Sequence, residues 1–396
     1  MGSARDYEIV VYGATGFTGR LVAEYLARVQ SGGAAVRWAI GGRNWNKLAE
    51  IRDAIGAPSD TPLVVADADD PRPLRTMVES TTVVVTTVGP YQLYGSDLVS
   101  ACVERGTGYV DLCGEPHWMR DMIDAHEARA RATGARIVFS CGFDSIPFDC
   151  GVQQLQKHCM ERFGRPAPRV KGRVRGLKGG MSGGTFASLK ATLAAAARRP
   201  TLLKLLADPF ALTPGFTGPE QPNGMLPYWD AAVGAWAAPF IMAAINTKNV
   251  HRTNYLLGHA YGTDFRYDEM MVAGLGEIGK AAAEALAKLN PLAGDRGLTP
   301  GEGPSREERE SGFYDVLFIA ETPGHEALRL AVKGDRDPGY GSTSKMLAEA
   351  ALCLARDIDG EGGVWTPGAL MGDKLVARLQ ACAGVTFALE HREAAV

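Results

Sequence analysis

Three glycines, each three residues after the last, form the first candidate site of the chain. Gly13, Gly16 and Gly19 follow the apolar run Ile9–Tyr12 and open a segment whose apolar residues recur at helical spacing. In a strand–turn–helix context the first glycine permits the sharp turn, the second lets the backbone approach a pyrophosphate, and the third lets the helix pack closely. The motif predicts a dinucleotide site, and the alternative is a tight turn without a ligand. The predicted contributors are Gly13, Thr15, Gly16, Phe17, Thr18 and Gly19.

Basic residues stand where the second predicted strand ends. Dinucleotide sites that bind NAD often carry an acidic residue there, which bonds the ribose 2′-hydroxyl. This chain has Arg43 instead, with Lys47 one helical turn later. Because a guanidinium clamps a phosphate with two hydrogen bonds, the exchange favours NADPH. Asp67 follows the third predicted strand, and it either accepts a bond from the adenine amino group or caps the next helix.

Two tyrosines follow the fourth predicted strand, in a loop that begins Val88, Gly89 and Pro90. The carboxyl ends of the strands face the ligand in a doubly wound sheet, so this loop is predicted to lie beside the nicotinamide. Tyr91 or Tyr94 could then donate a proton or bond a carbonyl. The alternative is that the two rings only pack the loop.

Acidic and hydroxyl groups follow the next two strands. Asp111 and Glu115 either bond ribose or substrate, or are loop caps. Asp144 and Ser145 leave the last strand of the first domain and border the predicted cleft between domains. They could orient the substrate, or they could be capping groups at the start of the helix that contains Pro147.

A glycine-rich segment precedes an alanine-rich helix in the middle of the chain. Gly183, Gly184 and Thr185 supply backbone N–H groups ahead of the helix predicted from Phe186 to Arg198. Such groups could bind an anion or an oxyanion of the substrate. The alternative is a flexible loop that closes the cleft.

Strands and helices alternate from Ile9 to Ser140, and this alternation must position the groups above. It predicts an α/β Rossmann domain with a doubly wound parallel sheet, which binds NADP and spans residues 1–145. An α+β second domain follows in residues 146–342 as a substrate and dimerisation domain. Residues 343–396 are predicted to add helices and a strand that pack back toward the Rossmann domain.

The second domain is predicted to carry an irregular apolar lid. Pro and Gly are frequent from Pro209 to Trp229, and the longest apolar run, Ala231–Ile245, follows. Together these segments could line a pocket for a long acyl chain or form a dimer interface. Beyond them the pattern predicts strands over Asn249–Leu257 and Gly262–Asp268 and a helix over Met270–Leu289.

Bulk composition excludes several classes of protein. The chain has 396 residues and a net charge of −3 with no basic block, so nucleic acid is not an expected partner. Its seven cysteines form no C-x-x-C pair, which favours free thiols in a reducing cytoplasm. No histidine pair has metal-ligand spacing, so no metal is expected. The longest apolar run is too short to span a membrane.

Several motifs in one order resemble those of the saccharopine dehydrogenase-like oxidoreductases, and within them the bacterial trans-acting enoyl reductases. The resemblance covers nearly the whole chain and implies a Rossmann domain, an α+β second domain and NADP(H). It also implies reduction of a carbon–carbon double bond on a carrier-bound acyl chain. The matching segments are Gly13–Gly19, Val88–Tyr91, Tyr109–Glu115, Gly142–Pro147, Gly180–Thr185 and Gly363–Pro367.

Three functions follow as hypotheses. In the first, an NADPH-dependent enoyl reductase of polyketide or lipid biosynthesis, Tyr91 or Tyr94 protonates the α-carbon while N–H groups of Gly183 and Gly184 hold the enolate. The second is C–N oxidoreduction, as in saccharopine dehydrogenases. The third is a nucleotide-binding, lipid-associated scaffold or sensor, which Ala231–Ile245 supports. The expected partners are a small or carrier-bound acyl substrate, a synthase, a second copy of the chain, and peripherally a membrane.

Overall fold

Two seven-stranded sheets organise the protein. The computed structural model describes residues 5–32, 35–180, 182–199, 201–289 and 301–391. Its strands are β1 (Tyr7–Tyr12), β2 (Trp38–Gly42), β3 (Leu63–Val65), β4 (Thr81–Thr86), β5 (Gly108–Val110), β6 (Arg136–Val138), β7 (Arg169–Lys178), β8 (Tyr228–Asp230), β9 (Ala235–Pro239), β10 (Arg266–Gly274), β11 (Phe313–Glu321), β12 (Leu328–Gly334), β13 (Gly363–Trp365) and β14 (Val385–Leu389).

The helices lie between these strands, and two short π-helical turns occur at Pro338–Ser342 and Leu379–Ala383. The α-helices are α1 (Phe17–Ser31), α2 (Trp45–Ala54), α3 (Pro71–Glu79), α4 (Tyr91–Tyr94), α5 (Ser96–Arg105), α6 (Pro116–Thr133), α7 (Ile146–Phe163), α8 (Gly183–Arg198), α9 (Thr201–Ala207), α10 (Ala243–Leu256), α11 (Gly276–Ala287), α12 (Arg306–Glu310), α13 (Thr343–Arg356), α14 (Pro367–Leu370) and α15 (Gly372–Arg378).

The first sheet is the doubly wound parallel sheet that the sequence predicts. Its order is β13-β6-β5-β4-β1-β2-β3, and every pairing is parallel. The central strands are continuous apolar runs, and Ile9–Val11 and Val83–Val85 are fully buried, as strands covered on both faces should be. Because the order reverses at β1 and β4, the crevice at their carboxyl ends is where such sheets bind ligands.

The C-terminal part of the chain contributes to both sheets. Strand β13 extends the first sheet by pairing with β6, and β14 pairs antiparallel with β12 in the second. Helix α13 packs against α1, β1, β4 and β5, with Leu347, Ala351 and Leu354 buried. The last segment therefore closes one face of the first sheet.

The second sheet is mixed, with the order β14-β12-β11-β7-β10-β9-β8. Strands β7 and β10 pair in parallel, and all other neighbouring strands of this sheet pair antiparallel. Helix α7, which leaves the first sheet, packs on β11 and β12. This helix connects the two halves of the molecule.

Three element predictions in the second half are wrong. The segment predicted as the strand Asn249–Leu257 belongs to helix α10. The prediction failed because the buried face of this helix carries Asn and Thr side chains, so apolar residues do not recur with the helical period of 3.6. The predicted strand Gly262–Asp268 starts at Arg266 and continues to Gly274 as β10. Only the later part of the predicted helix Met270–Leu289 is helical, as α11, because its first residues belong to β10. Gly274, with φ +123°, turns the chain between them.

The apolar run Ala231–Ile245 is not one element. It contains strand β9, the turn around Phe240 and the first residues of α10. The preceding segment, residues 208–227, has no helix or strand, and its Phe210 is buried against His251. Within the described ranges, no helix has both the length and the apolar character needed to cross a membrane.

Candidate active site

The turn after β1 has the geometry of a dinucleotide cradle. Gly13 adopts φ +89°, and a Cβ there would lie 2.7 Å from Val88 Cγ2. A Cβ on Gly19 would lie 2.2 Å from the carbonyl oxygen of Gly13, so only glycine lets α1 approach this closely. Gly16 is the N-cap of α1, with no capping side chain and no acidic residue in the first turn. The helix N-terminus therefore presents amide groups and a positive dipole end to a phosphate.

The two predicted phosphate-binding cations lie just beyond β2. Arg43 and Lys47 are both exposed, and neither forms an ion pair with another described residue. The backbone N–H of Lys47 donates to Asn44 Oδ1 at 3.0 Å, which fixes the start of α2. Both side chains are thus available at a helix N-terminus, where a ribose 2′-phosphate could be bound.

Asp67 lies near Arg43 but does not cap the following helix. Asp70 accepts the N–H of Arg72 and is the N-cap of α3, so the capping alternative for Asp67 is wrong. Instead, Asp67 Oδ1 accepts the N–H of Asp69 at 3.2 Å. Burial raises the pKa of Tyr12, Asp67 adds to the rise and Arg43 opposes it, so the three groups lie together beside β1. A bond from Asp67 to adenine stays a prediction.

The loop after β4 is held against the glycine turn and against the loop after β5. Thr87 Oγ1 donates to the carbonyl oxygen of Gly13 at 3.3 Å. The buried Glu115 accepts the N–H groups of Tyr91 and Gln92, each at 2.9 Å. Glu115 therefore acts as a loop cap. The loop Val88–Pro90 is fixed from both sides.

Asp111 is also a loop cap. It is fully buried, and its Oδ1 accepts the N–H groups of Cys113 and Ser140 while its Oδ2 accepts the hydroxyl of Tyr109. Burial raises its pKa to about 7, against the lowering effect of those hydrogen bonds. The carboxyl joins the loops after β5 and β6.

The two candidate phenols have different environments. The Tyr91 hydroxyl is buried, donates to the carbonyl oxygen of Thr86 at 3.2 Å and accepts the N–H of Leu112 at 3.4 Å. Burial and the charge of Asp111 raise its pKa well above the usual value. Tyr94 is 43% exposed. A proton-donating role for either phenol stays a prediction, and the phenol of Tyr91 would have to leave backbone partners to perform it.

Asp144 and Ser145 meet helix α10 at the end of β6. Asn249 Nδ2 donates to Ser145 Oγ at 2.8 Å, and both residues are fully buried. Asp144 keeps partial exposure, yet its Oδ1 is buried and accepts no hydrogen bond from the described residues. Burial alone raises the pKa of Asp144 to about 7. A carboxyl with a perturbed pKa at the edge of a ligand crevice is a candidate functional group.

The start of α8 is tied to the other half of the molecule. The N–H of Ser182 donates to the Tyr340 hydroxyl, which also lies 2.7 Å from Thr185 Oγ1. The N–H of Gly183 donates to the carbonyl oxygen of Glu302, and Ser182 Oγ accepts the N–H of Thr185. An anion at this site would compete for amides that are already engaged. The oxyanion role of Gly183 and Gly184 stays a prediction.

Helix α8 lies over the loop after β4. Ser188 Oγ is 3.7 Å from the position that a Cβ on Gly89 would take, and Gln92 Nε2 is 3.4 Å from Thr192 Oγ1. The structure thus brings the predicted cofactor loop and the predicted substrate helix to one crevice. Phe17 extends this contact, with its ring 5.1 Å from that of Tyr340 and 5.4 Å from the guanidinium of Arg309.

Sequence reasoning missed four polar residues beside this crevice. They are Tyr340, Asn246, Asn249 and Glu269. Two of them, Asn246 and Asn249, are three residues apart in α10, and the predicted strand Asn249–Leu257 includes only the second. A helical reading would have placed them on one face. Nothing in the local pattern marks Tyr340 or Glu269. No group of three or more metal-ligating side chains occurs in the described part of the chain.

Comparison with known proteins identifies relatives across the whole chain. A family model described as the saccharopine dehydrogenase NADP binding domain matches residues 9–138. A Mycobacterium tuberculosis protein, provisionally named as a trans-acting enoyl reductase, is 42% identical and covers 97% of each chain. The trans-acting enoyl reductase of Mycobacterium ulcerans is 38% identical over 96% of this chain and 97% of its own.

A solved structure shows the same fold at low identity. Apo saccharopine dehydrogenase (L-Glu forming) from Saccharomyces cerevisiae aligns with a TM-score of 0.55 and 9% identity. The alignment covers 97% of this chain and 99% of that chain. The likeness therefore extends through both sheets.

Proposed function

This chain belongs to the saccharopine dehydrogenase-like oxidoreductases, in the group of the trans-acting enoyl reductases, and from that premise we propose that it reduces the double bond of an α,β-unsaturated thioester. It is an NADP-dependent oxidoreductase. The observation that carries the proposal is identity of 38–42% across nearly the whole chain, in the second half as well as in the dinucleotide domain. The proposed reaction, enoyl reduction, is taken from the name of those relatives.

The residues around the glycine turn fit NADPH. Gly13 and Gly19 make the cradle that a side chain would fill, and the uncapped start of α1 faces the phosphates. Arg43 and Lys47 would hold the 2′-phosphate, and Asp67 the adenine. When bound, NADPH supplies the hydride, and the protein orients the two reactants and excludes water.

The acyl part of the substrate would lie between the loop after β4 and helix α8. Gly89 and Ser188 mark the narrow contact between them, and Phe17 and Tyr340 close one end. Asp144 and Ser145 would meet the thioester from the end of β6. The lid, residues 209–229, and the run Ala231–Ile245 would receive the apolar chain.

The wider setting is also part of the proposal. A reductase that acts in trans would meet its acyl group on the carrier of a separate synthase. A role in lipid metabolism in the cytoplasm and a homodimeric state follow from the same reasoning. A transient contact with a membrane through the lid would fit a long acyl product.

The test is NADPH oxidation with trans-2-enoyl thioesters of increasing chain length. NADH and a cyclic imine serve as controls for cofactor preference and for C–N chemistry. Turnover that rises with chain length supports both the reaction and the apolar pocket. Turnover on the imine alone, with no thioester reduced, would contradict the proposal.

A further inference from the structure

A set of buried polar side chains, which we call the polar pocket, contacts Ser145 next to Asp144. The set is separate from the glycine turn that would bind the dinucleotide. Asn246 and Asn249 of α10 and Glu269 of β10 are each at most 1% exposed. Asn249 bonds Ser145, the neighbour of Asp144, and Asn246 Nδ2 donates to Glu269 Oε2 at 2.9 Å. The second oxygen of Glu269 accepts the Tyr267 hydroxyl at 2.9 Å. Hydrogen bonds therefore connect Ser145 to α10, and α10 to β10.

This pocket has an excess of acceptors. The Oδ1 atoms of Asp144, Asn246 and Asn249 are all buried, and none has a hydrogen-bond partner among the described residues. A buried acceptor without a donor costs about 1–3 kcal/mol, so the pocket favours any added O–H group. A proton on the carboxyl of Asp144 supplies such a donor inside the protein.

The charges around the pocket also favour a protonated carboxyl on Asp144. No Lys, Arg or His of the described residues forms an ion pair with Asp144 or Glu269. Helix α10 contributes amides there, and β10 contributes Glu269, whose neighbour Asp268 is paired with Arg169 and Arg173. Burial raises the pKa of Glu269 well above its usual value, and the charge of Asp144 adds to the rise. Two carboxyls without a cation cannot both ionise in one buried space.

We propose that Asp144 is the proton donor of the reduction and that Asn249, Asn246 and Glu269 form the neutral pocket that keeps it protonated. The inference rests on the proposed function, because it names the acid of that reaction. Asp144 is the member of the set with partial exposure, and it stands at the carboxyl end of β6, where the crevice opens. Glu269 acts only through Asp144 and is a positioning residue.

The step balances as follows. Once hydride has reached the β-carbon of the enoyl thioester, the π electron pair lies on the α-carbon and the thioester oxygen as an enolate. Asp144 gives its proton to the α-carbon, a C–H bond forms, and the O–H bond of the carboxyl breaks. The thioester is reduced by two electrons, NADPH is oxidised to NADP⁺, and water returns a proton to the Asp144 carboxylate.

The experiment compares the wild-type protein with Asp144→Asn, and uses Asp149→Asn as the matched control. Asp149 is a second buried acid, on α7, and it is bonded to Thr253 of α10 and Gly368 of α14. Wild-type turnover should fall about tenfold from pH 6 to pH 8, because the acid form is lost. Asp144→Asn should lower turnover about 10²–10⁴-fold and leave NADPH affinity unchanged. Asp149→Asn should retain the pH profile.

Infrared spectroscopy of the protein without substrate gives a second reading. The wild type should show protonated-carboxyl absorption that is lost as the pH rises through 7. Because burial also raises the pKa values of Asp111 and Asp149 to about 7, Asp144→Asn should remove only the component that Asp144 contributes. Glu269→Gln should remove another band that persists at higher pH. An ionised Asp144 at pH 6, or turnover that Asp144→Asn preserves, would overturn the donor role alone. Wild-type protein that reduces no enoyl thioester would instead contradict the proposed function, and the proton transfer with it.

Discussion

The ring of Phe17 meets the ring of Tyr340 edge-on, with centroids 5.1 Å apart and planes at 81°. Phe17 opens helix α1 beside the glycine turn, whereas Tyr340 belongs to the π-helical turn that precedes α13. The hydroxyl of the same tyrosine holds Ser182 at the start of α8. One side chain thus links the predicted phosphate cradle to the helix that covers the crevice.

Tyr340→Phe should loosen α8 and leave the cradle intact. The ring contact with Phe17 is kept, but the N–H of Ser182 loses its acceptor and Thr185 loses a partner. An unsatisfied buried donor costs about 1–3 kcal/mol, so the free energy of unfolding should fall by that amount. The KM of the thioester should rise while the Kd of NADPH changes little. A rise in the NADPH Kd alone would show that α8 does not cover the acyl site.

Gly19→Ala should damage both stability and dinucleotide binding. Its Cβ would stand 2.2 Å from the carbonyl oxygen of Gly13, so the backbone must shift. Overpacking of this kind costs about 1–3 kcal/mol, which thermal unfolding will detect. Gly114→Ala is the control, since its Cβ would meet nothing within 4 Å. Equal Tm values for the two variants would contradict the close approach of α1.

The first sheet and the cradle could be predicted because their signals are local. The spacing of Gly13, Gly16 and Gly19 is a backbone requirement, and the apolar runs of β1 and β4 reflect burial on both faces. The addition of β13 to that sheet could not be predicted. This strand has three residues, and its partner β6 is far away in the sequence. No periodicity in the sequence indicates which strand such a short segment pairs with.

Helix α10 shows why the rest of the site was missed. Its buried face carries Asn246, Asn249 and Thr253, so the usual contrast between an apolar and a polar face is absent. The amide donors of that face bond Ser145 and Glu269, which come from distant parts of the chain. Tertiary contacts therefore decide the element, and single-sequence patterns do not contain them.

Arg43→Glu should reverse the preference between NADPH and NADH. The variant removes a guanidinium that would bond the 2′-phosphate and places a carboxylate where a ribose hydroxyl could donate. A charged hydrogen bond contributes about 1.5–3 kcal/mol, so NADPH should bind about 10–100 times more weakly. Fluorescence titration with both dinucleotides measures this. Arg52→Ala, on helix α2 that follows Arg43 but bonded to Asp53 and Ser59, should leave the ratio unchanged.

Tyr91→Phe and Tyr94→Phe should separate structural from chemical roles for the two phenols. The hydroxyl of Tyr91 bridges Thr86 and Leu112, so its loss should lower the free energy of unfolding by about 1 kcal/mol and turnover only a few-fold. Tyr94 is exposed, and its variant should match the wild type in both measurements. A large loss of turnover in Tyr91→Phe with an unchanged Tm would make Tyr91 the proton donor.

Asp149→Asn should change how stability depends on pH. Burial raises the pKa of Asp149 to about 7, although Thr253 and the N–H of Gly368 donate to it. Its ordinary pKa is about 3.9, so between pH 4 and pH 7 the folded protein holds a proton that the unfolded chain has released. The free energy of unfolding therefore falls as the pH rises through this window, by up to about 1.4 kcal/mol per pH unit from this group. Because asparagine does not titrate, urea unfolding of the variant should show a slope that is less steep by that amount and equal to the wild-type slope above pH 7. Parallel curves for the two proteins from pH 4 to pH 7 would mean that Asp149 is ionised in the folded state, and that its two donors outweigh the cost of burial.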